Sequence, residues 1–135
     1  MAGLSESRFI VDTHVLLWML AEPALLSTDA RDALRPQRVE VYVSAATAWE
    51  LSTKHRLGRL PQADVLLYAY DGHLKRLGAH DLKMTSAHAL LAGSLDWQHR
   101  DPFDRMIAAQ AMIESLTVIT ADKAFTTVNG VRTLW

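Results

Sequence analysis

The sequence contains no cysteine. That absence excludes disulfides, thiolate zinc sites and cysteine nucleophiles, and an oxidising compartment would usually add staples to a domain this small. Any metal therefore has to sit on Asp, Glu or His. No apolar run approaches the ~20 residues that a membrane span needs. The start, MAGLSES, lacks the basic flank and apolar block of a signal peptide, so a cytoplasmic protein with no membrane partner is expected. An excess of charge of one sign is missing too: 14 Lys and Arg face 15 Asp and Glu, a formal net charge of −1. That balance argues against a protein holding nucleic acid by bulk positive charge, which rests on Lys and Arg neutralising phosphates. With no repeat, low-complexity tract or linker, the chain reads as one domain, 1–135, with a polar N-terminal tail at 1–7.

What is present is an alternation of strand-length apolar runs with helical stretches. Arg8–Asp12, Val39–Val43, Thr117–Thr120 and Val131–Trp135 read as strands, and a short extended piece is expected near Leu82–Met84. This order points to a parallel α/β sheet. The first helix is expected over His14–Ala21 and stops near Pro23; Ser27 or Thr28 caps a second that reaches about Leu34. Ser44 is placed to cap a helix over Ala45–Arg56, ended by Gly58. Pro61 opens another, whose apolar positions Val65, Leu66, Tyr68, Ala69, Leu74 and Leu77 run to Gly78. Thr85 or Ser86 caps a small helix through Ala92, and residues 93–100 read as loop. Asp101 is the natural N-cap of the strongest helix, with Pro102 at its first position and Ile107, Ala108, Ala111, Met112 and Leu116 at helical spacing.

Five acids stand out, four of them at the junctions of these elements. Asp12 ends the first strand, where open parallel sheets bind ligands; it is a candidate cation ligand or simply the cap of the following helix. Glu50 lies mid-helix between Trp49 and Leu51, either solvent-facing or aimed at a neighbouring element. Asp101 and Asp104 share one face of a helix start. Capping explains Asp101, whereas Asp104 opens an apolar stretch and is either a first-turn dipole partner or a functional group. Asp122 follows the fourth strand, with Thr120 beside it to orient a carboxylate. If these acids converge they repel one another, and protons or cations must lie between them. Oxygen-rich clusters of this kind suit Mg²⁺ or Mn²⁺.

The remaining polar signals are weaker. The six histidines show no zinc spacing and read as surface or packing residues. His99 and Arg100 stand beside the acidic pair as candidate phosphate contacts. Lys54, His55, Arg56 and Arg59 form the one dense basic group, a solvated helix end that also offers a flank for a nucleic-acid backbone. The four tryptophans read as core and interface residues rather than base-stacking platforms.

Taken together, Asp12 to Trp18 (DTHVLLW), Ser44 to Glu50 (SAATAWE) with Gly58 to Leu60 (GRL), His99 to Arg105 (HRDPFDR) with Ile107 to Gln110 (IAAQ), and Ile119 to Phe125 (ITADKAF) resemble a PIN domain. More narrowly, they are similar to the VapC-type toxins of bacterial and archaeal toxin–antitoxin pairs. The likeness runs from about Phe9 to Trp135, with an acid in each of four motifs in order. It implies a three-layer α/β/α fold around a central parallel sheet and a pocket of acids that binds Mg²⁺ or Mn²⁺ for RNA hydrolysis, leaving a 5′-phosphate and a 3′-hydroxyl. On that resemblance Asp12, Glu50, Asp104 and Asp122 are the catalytic metal ligands, Asp101 is an additional one, and Thr120 supports the cluster. Apart from the resemblance, the residues themselves make Lys54, Arg56, Arg59, His99 and Arg100 candidate RNA contacts. The resemblance further implies a homodimer held in check by a cognate antitoxin.

Metal held by such acids neutralises the scissile phosphate and activates water without a side-chain nucleophile. Two divalent ions would also move the formal charge from −1 to +3, since −1 plus twice +2 is +3. Two rival readings remain at this stage. One is an aspartyl-phosphate phosphatase built on Asp12, which expects a second Asp where His14 stands. The other is a catalytically silent PIN-fold module that binds antitoxin or RNA.

Overall fold

The first strand, β1 (Arg8–Val11), alternates its side chains across a sheet plane, and that alternation builds two cores. Phe9 and Val11 point to one side and join Val41, Val43 and Ile119; Ile10 points to the other and joins Val118. All of these residues are buried. The structure, a computed structural model, describes residues 7–36 and 38–135. The expected N-terminal tail therefore falls, except for Ser7, outside the described residues.

Five parallel strands form one sheet in the order β3-β2-β1-β4-β5, where β2 is Glu40–Ser44, β3 is Ala79–Leu82, β4 is Thr117–Ile119 and β5 is Thr133–Leu134. Helices cover both faces, as the three-layer expectation requires. On one face α1 (Thr13–Ala21), α2 (Thr28–Leu34), α3 (Ala45–Arg56), α4 (Ala63–Leu67) and α5 (Tyr70–Leu77) pack around Leu16, Leu17, Leu51, Leu66 and Leu74. On the other, α7 (Pro102–Glu114) contributes Ile107, Ala108 and Ala111 to a core shared with Trp97 and Phe125. Each fully buried large apolar side chain supplies roughly 1.5–3 kcal/mol toward the fold. The remaining helix, α6 (Ser86–Ser94), lies beside α7.

Caps set these boundaries. Ser27 accepts from the Ala30 amide, Ser44 from that of Ala46, and Asp101 from those of Phe103 and Asp104. The structure departs from the sequence expectation in several places. The helix expected from Pro61 to Gly78 is two helices, because Tyr68 is extended and Ala69 takes a left-handed φ of 57°. The physical reason is burial: the break brings Tyr70, Leu74 and Leu77 onto the same core as Leu66, while Val65 and Tyr68 stay exposed. The extended piece near Leu82–Met84 is β3, which begins earlier, at Ala79. The loop expected from Gly93 starts later, since α6 continues through Ser94. The last helix stops at Glu114, where Ser115 adopts φ 57°. Of the tryptophans, Trp97 is in the core, but Trp49 is 55% exposed.

Candidate active site

The strand order places a crevice beside β1. From β1 the chain runs outward one way through β2 and β3 and the other way through β4 and β5, and the ends of β1 and β4 at such a switch point leave room for a ligand. Asp12 follows β1 directly and Thr120 follows β4; the Asp12 amide donates to the Ile119 carbonyl at 3.2 Å. Asp12 caps α1 through Oδ1, which accepts from the Val15 amide at 2.9 Å, while Oδ2 accepts from the Thr120 hydroxyl. Burial pushes the Asp12 carboxyl above its ordinary range, and the Thr120 and Val15 hydrogen bonds oppose that rise. The same Thr120 oxygen accepts from the Asp122 amide at 2.9 Å, so one hydroxyl fixes two of the acids.

Glu50 reaches the crevice from α3 and is only 4% exposed. Its Oε1 accepts from the Thr13 hydroxyl at 2.5 Å, and its Oε2 pairs with the Lys54 ammonium one turn on. Thr13 in turn lies 3.3 Å from the buried Thr47 hydroxyl. From α7, Asp104 presents Oδ2 to His99 Nε2 at 2.7 Å. Burial raises the Asp104 carboxyl to about 6, with Asp101 and Glu50 adding to the rise and His99 opposing it. Asp122 caps a 3-10 turn, Lys123–Thr127, through Oδ1 on the Ala124 amide.

Asp12, Glu50, Asp101, Asp104 and Asp122 line one cleft of about 170 Å³, together with Thr13, His14, Lys54 and His99. Ligand atoms of His99, Asp101 and Asp104 lie within 4.8 Å of one another. One oxygen each on Asp101, Asp104 and Asp122 accepts no hydrogen bond among the described residues. A donor set made mostly of carboxylate oxygens, with one imidazole and no sulfur, is of a kind that can hold a divalent cation.

Comparison with known proteins places this architecture. The profile of the PIN domain family matches residues 9–131. The chain belongs to the PIN domain family. No curated protein sequence matches it. Among solved structures it is similar to DNA-bound VapBC from Salmonella typhimurium, with 20% identity and a TM-score of 0.69 over 94% of this chain and 96% of that one. It is similar also to VapBC2 from Rickettsia felis bound to a fragment of promoter DNA, at 13% identity and a TM-score of 0.64, covering 94% and 97% of the two chains. A toxin–antitoxin complex from Klebsiella pneumoniae matches at 17% identity and a TM-score of 0.58, with 91% and 94% covered.

In this PIN domain the basic residues divide. Lys54 is not on an outer flank: its ammonium is inside the cleft on Glu50, because a lysine four residues after a glutamate shares its helix stripe. His55 pairs instead with Asp64 at 2.7 Å. Arg56, Arg59 and Arg100 are exposed. The sequence reading passed over three further groups. Thr13 is the hydroxyl that holds Glu50; its signal was its place next to Asp12. Arg105 spreads its guanidinium over the carbonyls of Ala92, Leu95, Trp97 and His99 at 2.7–2.9 Å and so fixes the loop that carries His99. His88, 2% exposed, accepts from the Thr85 amide at Nδ1, which leaves Nε2 to donate to Glu114 at 2.8 Å. Neither of these last two had a local signal.

Proposed function

We propose that this PIN domain is a metal-dependent endoribonuclease acting as the toxin of a toxin–antitoxin pair of the VapC type. The observation that carries the reading is the convergence of five carboxylates and His99 on one cleft at the sheet's switch point. Asp12, Glu50, Asp104 and Asp122 hold Mg²⁺ or Mn²⁺, Asp101 adds a further oxygen, and Thr120 and Thr13 fix the carboxylates in place. A divalent cation bound there supplies charge neutralisation at the scissile phosphate and activation of water. The chain's own contribution is to bring these oxygens together and orient them, with Asp12 and Glu50 buried, and to keep Asp104 against His99. Arg56, Arg59 and Arg100 are the exposed cations that contact the RNA backbone around the cleft.

The partner reading rests on the VapBC and toxin–antitoxin complexes among the structural neighbours. A cognate antitoxin covers the acidic cleft, and the toxin acts as a cytoplasmic homodimer. No helix among the described residues is long and apolar enough to cross a membrane. Purified protein is expected to cleave RNA with Mg²⁺ or Mn²⁺ and to lose that activity with a chelator and in Asp12→Asn. Cleavage that survives both treatments overturns the reading.

A further inference from the structure

Two aromatic residues are chain neighbours of acids that line the cleft, and no role described so far uses them. Trp49 precedes Glu50 on α3, and Phe103 precedes Asp104 on α7. Their rings meet edge to face, with centroids 4.7 Å apart and planes at 81°. One residue is about 100° of helix turn, so with Glu50 and Lys54 facing the cleft, Trp49 lies on the adjoining flank. Trp49 is 55% exposed, which leaves much of its ring open to a ligand. The Phe103 contact braces its ring without burying it.

We propose that the Trp49–Phe103 pair is a stacking platform for one base of a single-stranded RNA whose phosphate lies in the acidic cleft. The inference rests on the nuclease reading above and deepens it by naming what holds the nucleotide next to the cleaved bond. In a nucleic acid the base stands one sugar away from its phosphate, and Trp49 and Phe103 each stand one residue away from an acid of the cleft. An aromatic face accepts any base, and a ring already braced by a neighbour loses little freedom when a base settles on it. A protein partner is the poorer fit for this ring. The most exposed large apolar side chains are elsewhere, at Tyr68, Leu90 and Val65.

The test is binding of two labelled single-stranded oligoribonucleotides by the full chain, with calcium replacing magnesium to hold back hydrolysis. One is a short oligoadenylate, and the other has the same backbone with its bases removed. The wild type should prefer the base-bearing strand by about 5- to 100-fold. Trp49→Leu should erase that preference, and Trp49→Phe should keep most of it, which also guards against a misfolded variant. A Trp49→Leu protein that retains the preference overturns the platform. So does a wild type that cleaves RNA yet binds both strands equally, in which case the nuclease reading stands alone. A wild type that binds neither strand and cleaves no RNA overturns both. If Trp49→Leu keeps the base preference and instead loses an inhibitory protein partner, the pair is a protein-docking face and the proposal fails.

Discussion

Arg105 offers a sharp test of how the candidate site is built. Its guanidinium donates to four backbone carbonyls, those of Ala92, Leu95, Trp97 and His99, at 2.7–2.9 Å. The first of these carbonyls belongs to the last turn of α6, where a cation also answers the helix dipole. A hydrogen bond to a charged group contributes about 1.5–3 kcal/mol, so four of them set a ceiling near 6–12 kcal/mol. Arg105 is only half-buried, and water replaces part of what is lost. Arg105→Ala is therefore expected to cost about 2–4 kcal/mol in urea unfolding at unchanged slope, roughly 8–16 °C in Tm for a chain of this size. Arg105→Lys keeps the charge but not the planar fork, and should recover less than half of the loss. Amide exchange across the loop that Arg105 spans should quicken in both variants, because the loop's own backbone makes few hydrogen bonds. The loop positions His99 against Asp104, so divalent-cation affinity should fall along with stability. A stability loss below about 1 kcal/mol, or a loop whose exchange does not change, refutes the clamp.

Other perturbations address the charges in the cleft. Asp104, raised from 3.8 to about 6, must give up its proton to a metal, so Mn²⁺ affinity by calorimetry should fall about tenfold per unit below pH 6; an affinity flat across that range refutes it. The sign for metal-free stability is opposite. A carboxyl raised in the fold contributes stability present below its unfolded value and lost as pH rises through about 6, about 1–2 kcal/mol after solvent screening. Thr120→Val removes the hydroxyl that holds the Asp12 carboxyl down, so the midpoint of metal binding should move to higher pH, and an unmoved midpoint counts against the coupling. Lys54→Met leaves Glu50 a buried carboxylate without its cation. In chelator it should cost about 1–3 kcal/mol, and Mg²⁺ should restore much of that; equal stability with and without Mg²⁺ refutes the pairing.

Much of the fold was legible because it rests on local rules. The caps Ser27, Ser44 and Asp101 are read from residue type beside an apolar run, and each makes its bond within three residues. The apolar run Phe9–Val11 that marks β1 is likewise local. The illegible parts are decided by distant partners or by a balance of burial. Thr120 and Asp12 are 108 positions apart, and His88 finds Glu114 across 26. The turn at Ala69 has no glycine or proline to mark it. It exists because two short helices bury Leu66 and Leu74 better than one straight helix does. Arg105 looked like any charged residue in a helix's first turns, since nothing near it in sequence shows that four backbone carbonyls converge on it.

The acids themselves resolve a choice that sequence alone leaves open. For Asp12 and Asp101 the alternatives were helix cap or metal ligand, as though one role displaced the other, and the structure puts Asp122 in the same position. A carboxylate has two oxygens, and in all three residues Oδ1 takes the capping amide. At Asp101 and Asp122 the second oxygen accepts no hydrogen bond among the described residues; at Asp12 it takes the Thr120 hydroxyl, which leaves a further lone pair. Capping fixes the carboxylate's orientation and sets its charge against a helix or turn N-terminus, which reduces the cost of crowding like charges. Glu50 has no such amide, and it is the acid that needed an ammonium from its own helix and a buried hydroxyl from another. The fold therefore holds the acidic cluster together through backbone amides, hydroxyls, one lysine and one histidine, all of which a divalent cation would find already in place.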